Sequence, residues 1–504
     1  MALTILLTAA VAVLALVYLF FSHRFQHWSK RGVPFPKPTP FFGNFGPTIR
    51  GKRPFTKLAL DLAVPFREQG LGYCGIYQWC KPILMVWDPE MVKQIVCKDF
   101  SSFHDRGMPT NDSDPLSLHL FNLSGPKWRN LRNRLSPTFT SGKLKMMLPL
   151  MSDIGDNLST TLSEEAKRSE SHEVDVSSLL SRFATDIIGS VAFGIQCNCL
   201  RDENNEFLAM SRQIFQQTPA QFVRFLLDSL HPKLGRLLPF KIMFNSVHNF
   251  FITLMRDTVK YREENKVERN DFVQLMMQLR DQDLANADPL NHMELTPGVM
   301  AAQGFIFFIA GLESTSNTIA YCLSKLAQDP ALQDRVAGEV RDVLRQHDGQ
   351  MTYEALKKME LVNCTALEGL RLWPPVGVLI RKCNETTKVG DVLIEKDMPI
   401  FIVSDAMHTD ENIFPEPQRF DPDRFSAENR SQRHPYSFLP FGEGPRICIA
   451  ERFALLEMKL ALAVLLRDFT FSTGPSFEAD AELDPSAFFP RPKNGFKLRV
   501  EART

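Results

Sequence analysis

A cysteine becomes a metal ligand only with help, and the segment Phe441-Gly442-Glu443-Gly444-Pro445-Arg446-Ile447-Cys448-Ile449-Ala450 supplies it. The sulfur must be deprotonated to bind iron, and backbone N–H groups at the start of a helix favour the anion. The apolar run that begins near Ala450 provides such a start. A flat macrocycle needs the backbone to pass close by, which Gly442 and Gly444 allow because they carry no side chain. Arg446 can neutralise a carboxylate on the rim of that macrocycle through charge-assisted hydrogen bonds. A lone cysteine before an apolar helix is ordinarily a small buried residue. The concentration of all these features between Gly442 and Cys448 points instead to a thiolate that holds a haem iron.

Three further groupings carry chemistry. Ala310-Gly311-Leu312-Glu313-Ser314-Thr315 places an acid and two alcohols inside a run that is otherwise apolar. Such groups are expensive to bury without partners, which argues for a role. The small residues at 310 and 311 leave room beside the helix and permit a local distortion of it. Glu368 and Arg371 stand three apart, so on a helix they share a face and can pair. Trp128 and Arg132 stand four apart in the same sense, a weak signal when taken alone.

Long helices must position these groups. One opens at Thr296-Pro297, a capping hydroxyl followed by a proline suited to the first turn, and runs to about Gln328. Its stretch VMAAQGFIFFIAGL is apolar on every side, so it should cross the core. Another runs from about Ala450 to Leu466. Residues 72–88 read as two short strands, and 378–403 and the last twenty residues are again strand-like. The predicted fold is mainly α with a small β region.

FGEGPRICIA resembles the haem-binding loop FxxGxRxCxG of the cytochromes P-450, with Ala450 in place of the usual glycine. The resemblance extends over nearly the whole chain. Glu368-Gly369-Leu370-Arg371 is similar to the family's ExxR, Pro422-Asp423-Arg424-Phe425 to its PERF segment, and Ala310 to Thr315 to its oxygen-activating [AG]Gx[DE]T motif. This implies the cytochrome P-450 fold, with Cys448 as axial ligand of haem b and Phe441 in the haem loop. It implies propionate contacts from Arg446, Trp128, Arg132 and Arg381, and a buried Glu368–Arg371–Arg424 brace. The family's catalytic threonine aligns with Ser314, so Ser314 takes the oxygen-side role, with Thr315 as support and Glu313 as proton relay. The implied reaction inserts one atom of O2 into a lipophilic substrate, with electrons from NADPH through a separate flavoprotein, the NADPH–cytochrome reductase. Cytochrome b5 is a further candidate donor. Lys127, Arg129, Arg132, Arg134, Lys143 and Lys145 are candidates for steering the reductase.

GPKWRNLRNRLSPTFTSGKLK and RHPYSFLPFGEGPR look most like insect microsomal monooxygenases that act on drugs and toxins. That likeness implies a roomy apolar pocket for xenobiotics, plant toxins, insecticides or steroids. Candidate linings are residues 106–123, 208–250, 305–315, 376–381 and 484–490, with Phe305, Phe307, Phe308, Phe488 and Phe489 as walls. Two other readings compete: a haem-thiolate isomerase acting on a peroxide, and a tethered haem or ligand carrier without turnover. The acid–alcohol pair argues against both.

Composition sets the frame. The 504 residues suggest about three domains by length alone, but no interior linker forces a split. With 58 acidic and 58 basic residues, nothing favours nucleic acid as a partner. Forty Phe against 7 Tyr and 5 Trp suit a large interior that needs no hydrogen bonds from its rings. The nine scattered cysteines point to free thiols in a reducing compartment, and Cys197 and Cys199 read as small buried residues. Residues 2–21 carry no charge and would span about 30 Å as a helix, the depth of a bilayer's hydrocarbon. Arg24, Lys30 and Arg31 follow that run, which places the rest on the cytosolic face. The predicted order is a membrane anchor at 1–22, a proline-rich linker at 23–44 and a catalytic domain at 45–504, on the endoplasmic reticulum membrane.

Overall fold

The computed structural model describes residues 1–112, 114–215, 243–286, 293–479, 481–485, 487 and 489–503. Phe488 and the 216–242 part of the expected lining lie outside them. Among the longer helices are α1 (Ala2–Arg24), α2 (Gly125–Leu135), α3 (Ser141–Arg168), α4 (Val176–Ile188), α5 (Glu206–Phe215), α6 (Asn245–Asn265), α7 (Pro297–Leu326), α8 (Glu360–Leu372) and α9 (Glu451–Asp468). The strands are β1 (Tyr73–Gln78), β2 (Lys81–Val86), β3 (Glu173–Asp175), β4 (Val378–Lys382), β5 (Thr387–Val389), β6 (Val392–Ile394), β7 (Pro399–Val403), β8 (Phe469–Ser472) and β9 (Lys497–Ala502). The chain divides into two compact units that interleave in sequence.

The first unit holds residues 1–107, 376–415 and 434–446. Its four-stranded sheet runs β1-β2-β7-β4, with β2 and β7 parallel and the outer pairs antiparallel. Alternating β-branched and aliphatic residues bury one another here: Ile76, Ile83, Leu84, Ile400 and Ile402 are all in the core. The proline segment is extended, as four prolines require, but it is no free spacer. Pro34 accepts the Gly75 N–H at 2.8 Å, and the Asn44 side chain and backbone both bond to Tyr77 at 2.8 Å. Trp28 is wholly buried against Gly75, where any Cβ would strike its ring. Burying Trp28, Val33 and Phe45 outweighs leaving this strand loose. Ahead of it, the 23 residues of α1 form a helix about 35 Å long. Its Ile5, Leu6, Leu7, Leu16, Leu19 and Phe20 are exposed.

The second unit holds residues 108–375, 416–433 and 447–504 and contains the three-stranded sheet β3-β9-β8. At its centre runs α7, opened by the Thr296 hydroxyl, which accepts the Val299 N–H at 3.3 Å, and by Pro297 in the first turn. The helix continues unbroken to Leu326 and packs against α4, α6, α8 and α9. The stretch Val176–Phe193, which is α4 with the turn that continues it, and helix α7 are apolar and long enough to pass for membrane spans by composition, but both are mostly buried in protein. Gly304 and Gly311 make these close crossings possible: a Cβ at 304 would lie 2.8 Å from Phe193, and one at 311 would lie 2.6 Å from Ile188.

Candidate active site

Cys448 is exposed and stands three residues before α9, whose first turn has no side-chain cap. Those open N–H groups favour a thiolate at this position. Trp128 is buried on α2, and Arg132, one turn further, is half-buried. Burial lowers the Arg132 guanidinium, and the negative charge of the Cys448 sulfur opposes that shift, so the two groups are close enough to interact.

In the first unit, the loop leading to Cys448 is shaped by its glycines. Gly444 has a φ of 74° and lies so close to the Val96 carbonyl that a Cβ would sit 2.0 Å from its oxygen. Only glycine meets both demands. Arg446, 2% exposed, donates through Nε to the His104 carbonyl at 2.8 Å and approaches Asp105 at 3.5 Å. Phe441 is half-buried. Arg381 on β4 is also 2% exposed; its Nη1 donates to the Ile380 carbonyl at 2.9 Å, while its Nε has no partner. Burial pulls this guanidinium down to about 10. Among the described residues no carboxylate is paired with it. A buried cation in this state calls for an anion from outside the chain, and a haem propionate is one. The donor set and the orphaned Nε therefore fit haem.

On α7, the accessible stripe is Ile306, Ala310 and Ser314, each one turn from the next, flanked by Phe307 and Gly311. Ala310 is exposed in the middle of a buried helix, so open space lies beside it. The Ser314 hydroxyl donates to the Ala310 carbonyl and stays on that open face. Thr315 points elsewhere: it is 1% exposed and its Oγ1 has no hydrogen-bond partner. The support expected from Thr315 is thus absent from the Ser314 face. Gly311 serves the crossing with α4 as much as it leaves room. Glu313 is buried, meets Arg491 Nη1 at 3.3 Å and leaves Oε2 unpartnered; Arg491 in turn holds Asp484 at 2.8 Å. Burial lifts the Glu313 carboxyl to about 7, against the pull of Arg491. No spacing signal in the sequence announced Arg491.

The expected phenylalanine walls are corrected. Phe305 and Phe308 are packed on Phe251 at ring distances of 5.2 and 5.3 Å, and Phe307 on Phe272 at 4.5 Å. Phe305 and Phe308 belong to the core around α7, Phe307 is half-buried beside the open stripe, and Ile306, which was not singled out, joins Ala310 on that stripe. A run that is apolar on all sides does not reveal which face stays open. A groove of about 890 Å³ lined by Met210, Phe250, Leu254, Tyr261 and Arg262 takes Met210 and Phe250 from the expected lining segment 208–250, but none of the expected haem-contacting or oxygen-side residues.

The brace is present. Arg371 grips Glu368 with two bonds of 2.7 and 2.8 Å, both side chains wholly buried. The Asp421 N–H reaches Glu368 at 2.8 Å, and Arg424 comes within 3.6 Å. Arg371 also donates to the Pro417 and Arg419 carbonyls, so it ties the 416–433 segment to α8. Of the basic cluster, Lys127 and Arg129 are exposed, whereas Lys145 is paired with Glu354 and Arg134 donates to the Met293 carbonyl.

A mainly helical fold with a cysteine three residues before a long helix is what a haem-thiolate oxygenase requires. This chain belongs to the cytochrome P450 family, whose model matches residues 33–500. It is 36% identical over 505 residues to cytochrome P450 6a2 of Drosophila melanogaster, covering 99% of each chain. Against cytochrome P450 6a8 of the same fly it is 37% identical over 510 residues, covering 99% of this chain and 100% of the other. Cytochrome P450 6k1 of Blattella germanica is 35% identical over 484 residues, with 93% and 90% covered. The chain is a monooxygenase of this family.

Proposed function

We propose that this monooxygenase takes electrons from NADPH through a separate flavoprotein reductase and oxidises small lipophilic compounds such as plant toxins, insecticides or steroids. One observation carries the reading: an accessible stripe on a buried apolar helix ends in the Ser314 hydroxyl, with an acid of pKa about 7, Glu313, at the preceding position. Cys448 would supply the thiolate ligand to haem iron, and Arg446, Arg132, Arg381 and Trp128 would receive its propionates. When bound, haem supplies an iron that activates O2, with electron density pushed toward it by the thiolate.

The chain's own residues do the rest. Ile306 and Ala310 offer apolar surface on which a lipophilic substrate can lie without stranding a polar group. Ser314 offers a hydroxyl at the end of that stripe. Glu313 exchanges protons near neutrality, and the Arg491–Asp484 pair holds its outer side. Exposed Lys127 and Arg129 supply positive charge for an acidic reductase. The exposed apolar length of α1 matches a bilayer's hydrocarbon and supports anchoring in the endoplasmic reticulum membrane with the body in the cytosol.

The test is oxygen and NADPH consumption by the haem-loaded chain with reductase, over a panel of lipophilic compounds first screened by spectral binding. Oxygenated product in step with NADPH use is expected. Rearrangement of an organic peroxide without reductase would favour an isomerase, and binding without oxygen uptake would favour a carrier.

A further inference from the structure

Helix α4 ends beside a surface loop that carries two cysteines. Asp186, on the last turn of α4, turns its carboxylate into this loop: one oxygen accepts the Cys199 N–H at 2.7 Å and the other accepts the Leu200 N–H at 3.0 Å. Between Cys197 and Cys199, Asn198 adopts a left-handed conformation with φ 56°, which folds the backbone so that both sulfurs face the same side. The Cys197 thiol reaches the Ile195 carbonyl, at 4.0 Å. Asn205 fixes the turn from outside by donating to the Cys197 carbonyl at 2.6 Å. Gly189 leaves the space the first sulfur occupies, since a Cβ there would lie 2.2 Å from Cys197 Sγ. The two sulfurs and a carboxylate oxygen of Asp186 all lie within 4.8 Å of one another, and all three residues are buried.

We propose that Asp186, Cys197 and Cys199 form a binding site for one thiophilic divalent cation of the zinc class. Two sulfurs and one carboxylate oxygen are the donors such an ion prefers, and three protein ligands leave one corner of a tetrahedron for solvent. Solvent is near, because Gln196 and Asn198 on the same loop are exposed. The turn already gathers the three donors. Charge agrees. Three anionic ligands outweigh a divalent ion by one, and the nearby Arg182 is itself held by Glu165 and Glu203. The bound ion would pin the loop to α4, the helix packed against α7. Asp186 supplies what the sequence spacing hides: the third ligand lies eleven positions upstream and reaches the pair only through the fold.

The experiment equilibrates the full haem-loaded chain with Zn2+ under a thiol-free reductant, then exchanges it through buffer with a weak chelator. One zinc per chain is expected to remain, with sulfur neighbours at about 2.3 Å in its X-ray absorption fine structure. Zinc should raise the midpoint of thermal unfolding in the native chain. Cys197→Ser and Cys199→Ser should lose the retained zinc, and Asp186→Asn should weaken retention about tenfold or more, while the carbon monoxide difference spectrum reports the intact fold. No retained zinc, zinc ringed only by nitrogen and oxygen, or full retention by either cysteine variant would overturn the proposal. So would a Cys197–Cys199 disulfide that persists under the reductant. The absorption measurement on the native chain needs no variant, so a variant that fails to fold leaves the proposal exposed to refutation.

Discussion

At pH 7 the Glu313 carboxyl, lifted to about 7 by burial, divides its time between two protonation states. A relay needs that balance, because a group locked in either state cannot pass a proton on. Glu313→Gln should lower product formation by about a hundredfold or more and abolish the inflection near pH 7 in the rate profile. An unchanged pH profile of product formation would remove Glu313 from proton delivery. Ser314 keeps the hydroxyl but lacks the methyl that would limit its rotamers, so in the proposed oxygen-side role its hold would be looser. Ser314→Thr is expected to reduce the hydrogen peroxide released per NADPH consumed. Peroxide release equal to that of the native chain would sink this account of coupling.

At the scale of elements, the crossing of α7 over α4 depends on Gly311. An added methyl at 2.6 Å from Ile188 must push the two helices apart, and overpacking of this kind costs about 1–3 kcal/mol. Gly311→Ala should therefore unfold at lower temperature, and Ile188→Ala added to it should cost less than it does alone. Strict additivity of the two changes in thermal unfolding would show that the crossing has no such steric control. Helix α9 raises a different issue. Glu457 is wholly buried, both carboxyl oxygens lack hydrogen-bond partners, and burial pushes its pKa well above the ordinary range. The folded chain thus keeps a proton that the unfolded chain gives up once the pH passes the ordinary carboxyl value. The associated stability is complete in acid and is lost as pH rises toward the folded-state pKa. Glu457→Gln, which cannot ionise, should gain stability over the native chain at pH 8 relative to pH 5. Parallel melting curves at the two pH values would contradict this.

For the whole molecule, the proposed membrane anchor is what needs testing. Helix α1 exposes Leu6, Leu16, Leu19 and Phe20, an apolar face that a bilayer would cover, whereas from Trp28 onward the chain is stitched to β1. Removing residues 2–22 should move the chain from the membrane pellet to the supernatant and leave the carbon monoxide difference spectrum unchanged. A truncated chain that still sediments with membranes would show that another surface binds lipid.

Much of this was legible without coordinates, for local reasons. The segment ahead of Cys448 announces itself because a thiolate ligand needs a glycine, an arginine and a helix start at short range, and short range is what a sequence displays. The capped start of α7 at Thr296-Pro297 and the hairpin of β1 and β2 were readable for the same reason. What needed the fold depends on contacts between distant positions. The small residues at 310 and 311 marked the open side of α7, but the packing of its phenylalanines could not be read, because a helix apolar all round carries no mark of its partners. Phe305, Phe307 and Phe308 turned out to be packed on Phe251 and Phe272, and the open face fell to Ile306, Ala310 and Ser314. The salt link from Glu313 to Arg491, the missing counter-ion of Arg381, the seating of Trp28 on Gly75 and the meeting of Asp186 with Cys197 and Cys199 are likewise long-range. Residue order fixes which groups are available. Only tertiary packing decides which of them meet, because burial and charge compensation are settled by neighbours that the chain brings from far away.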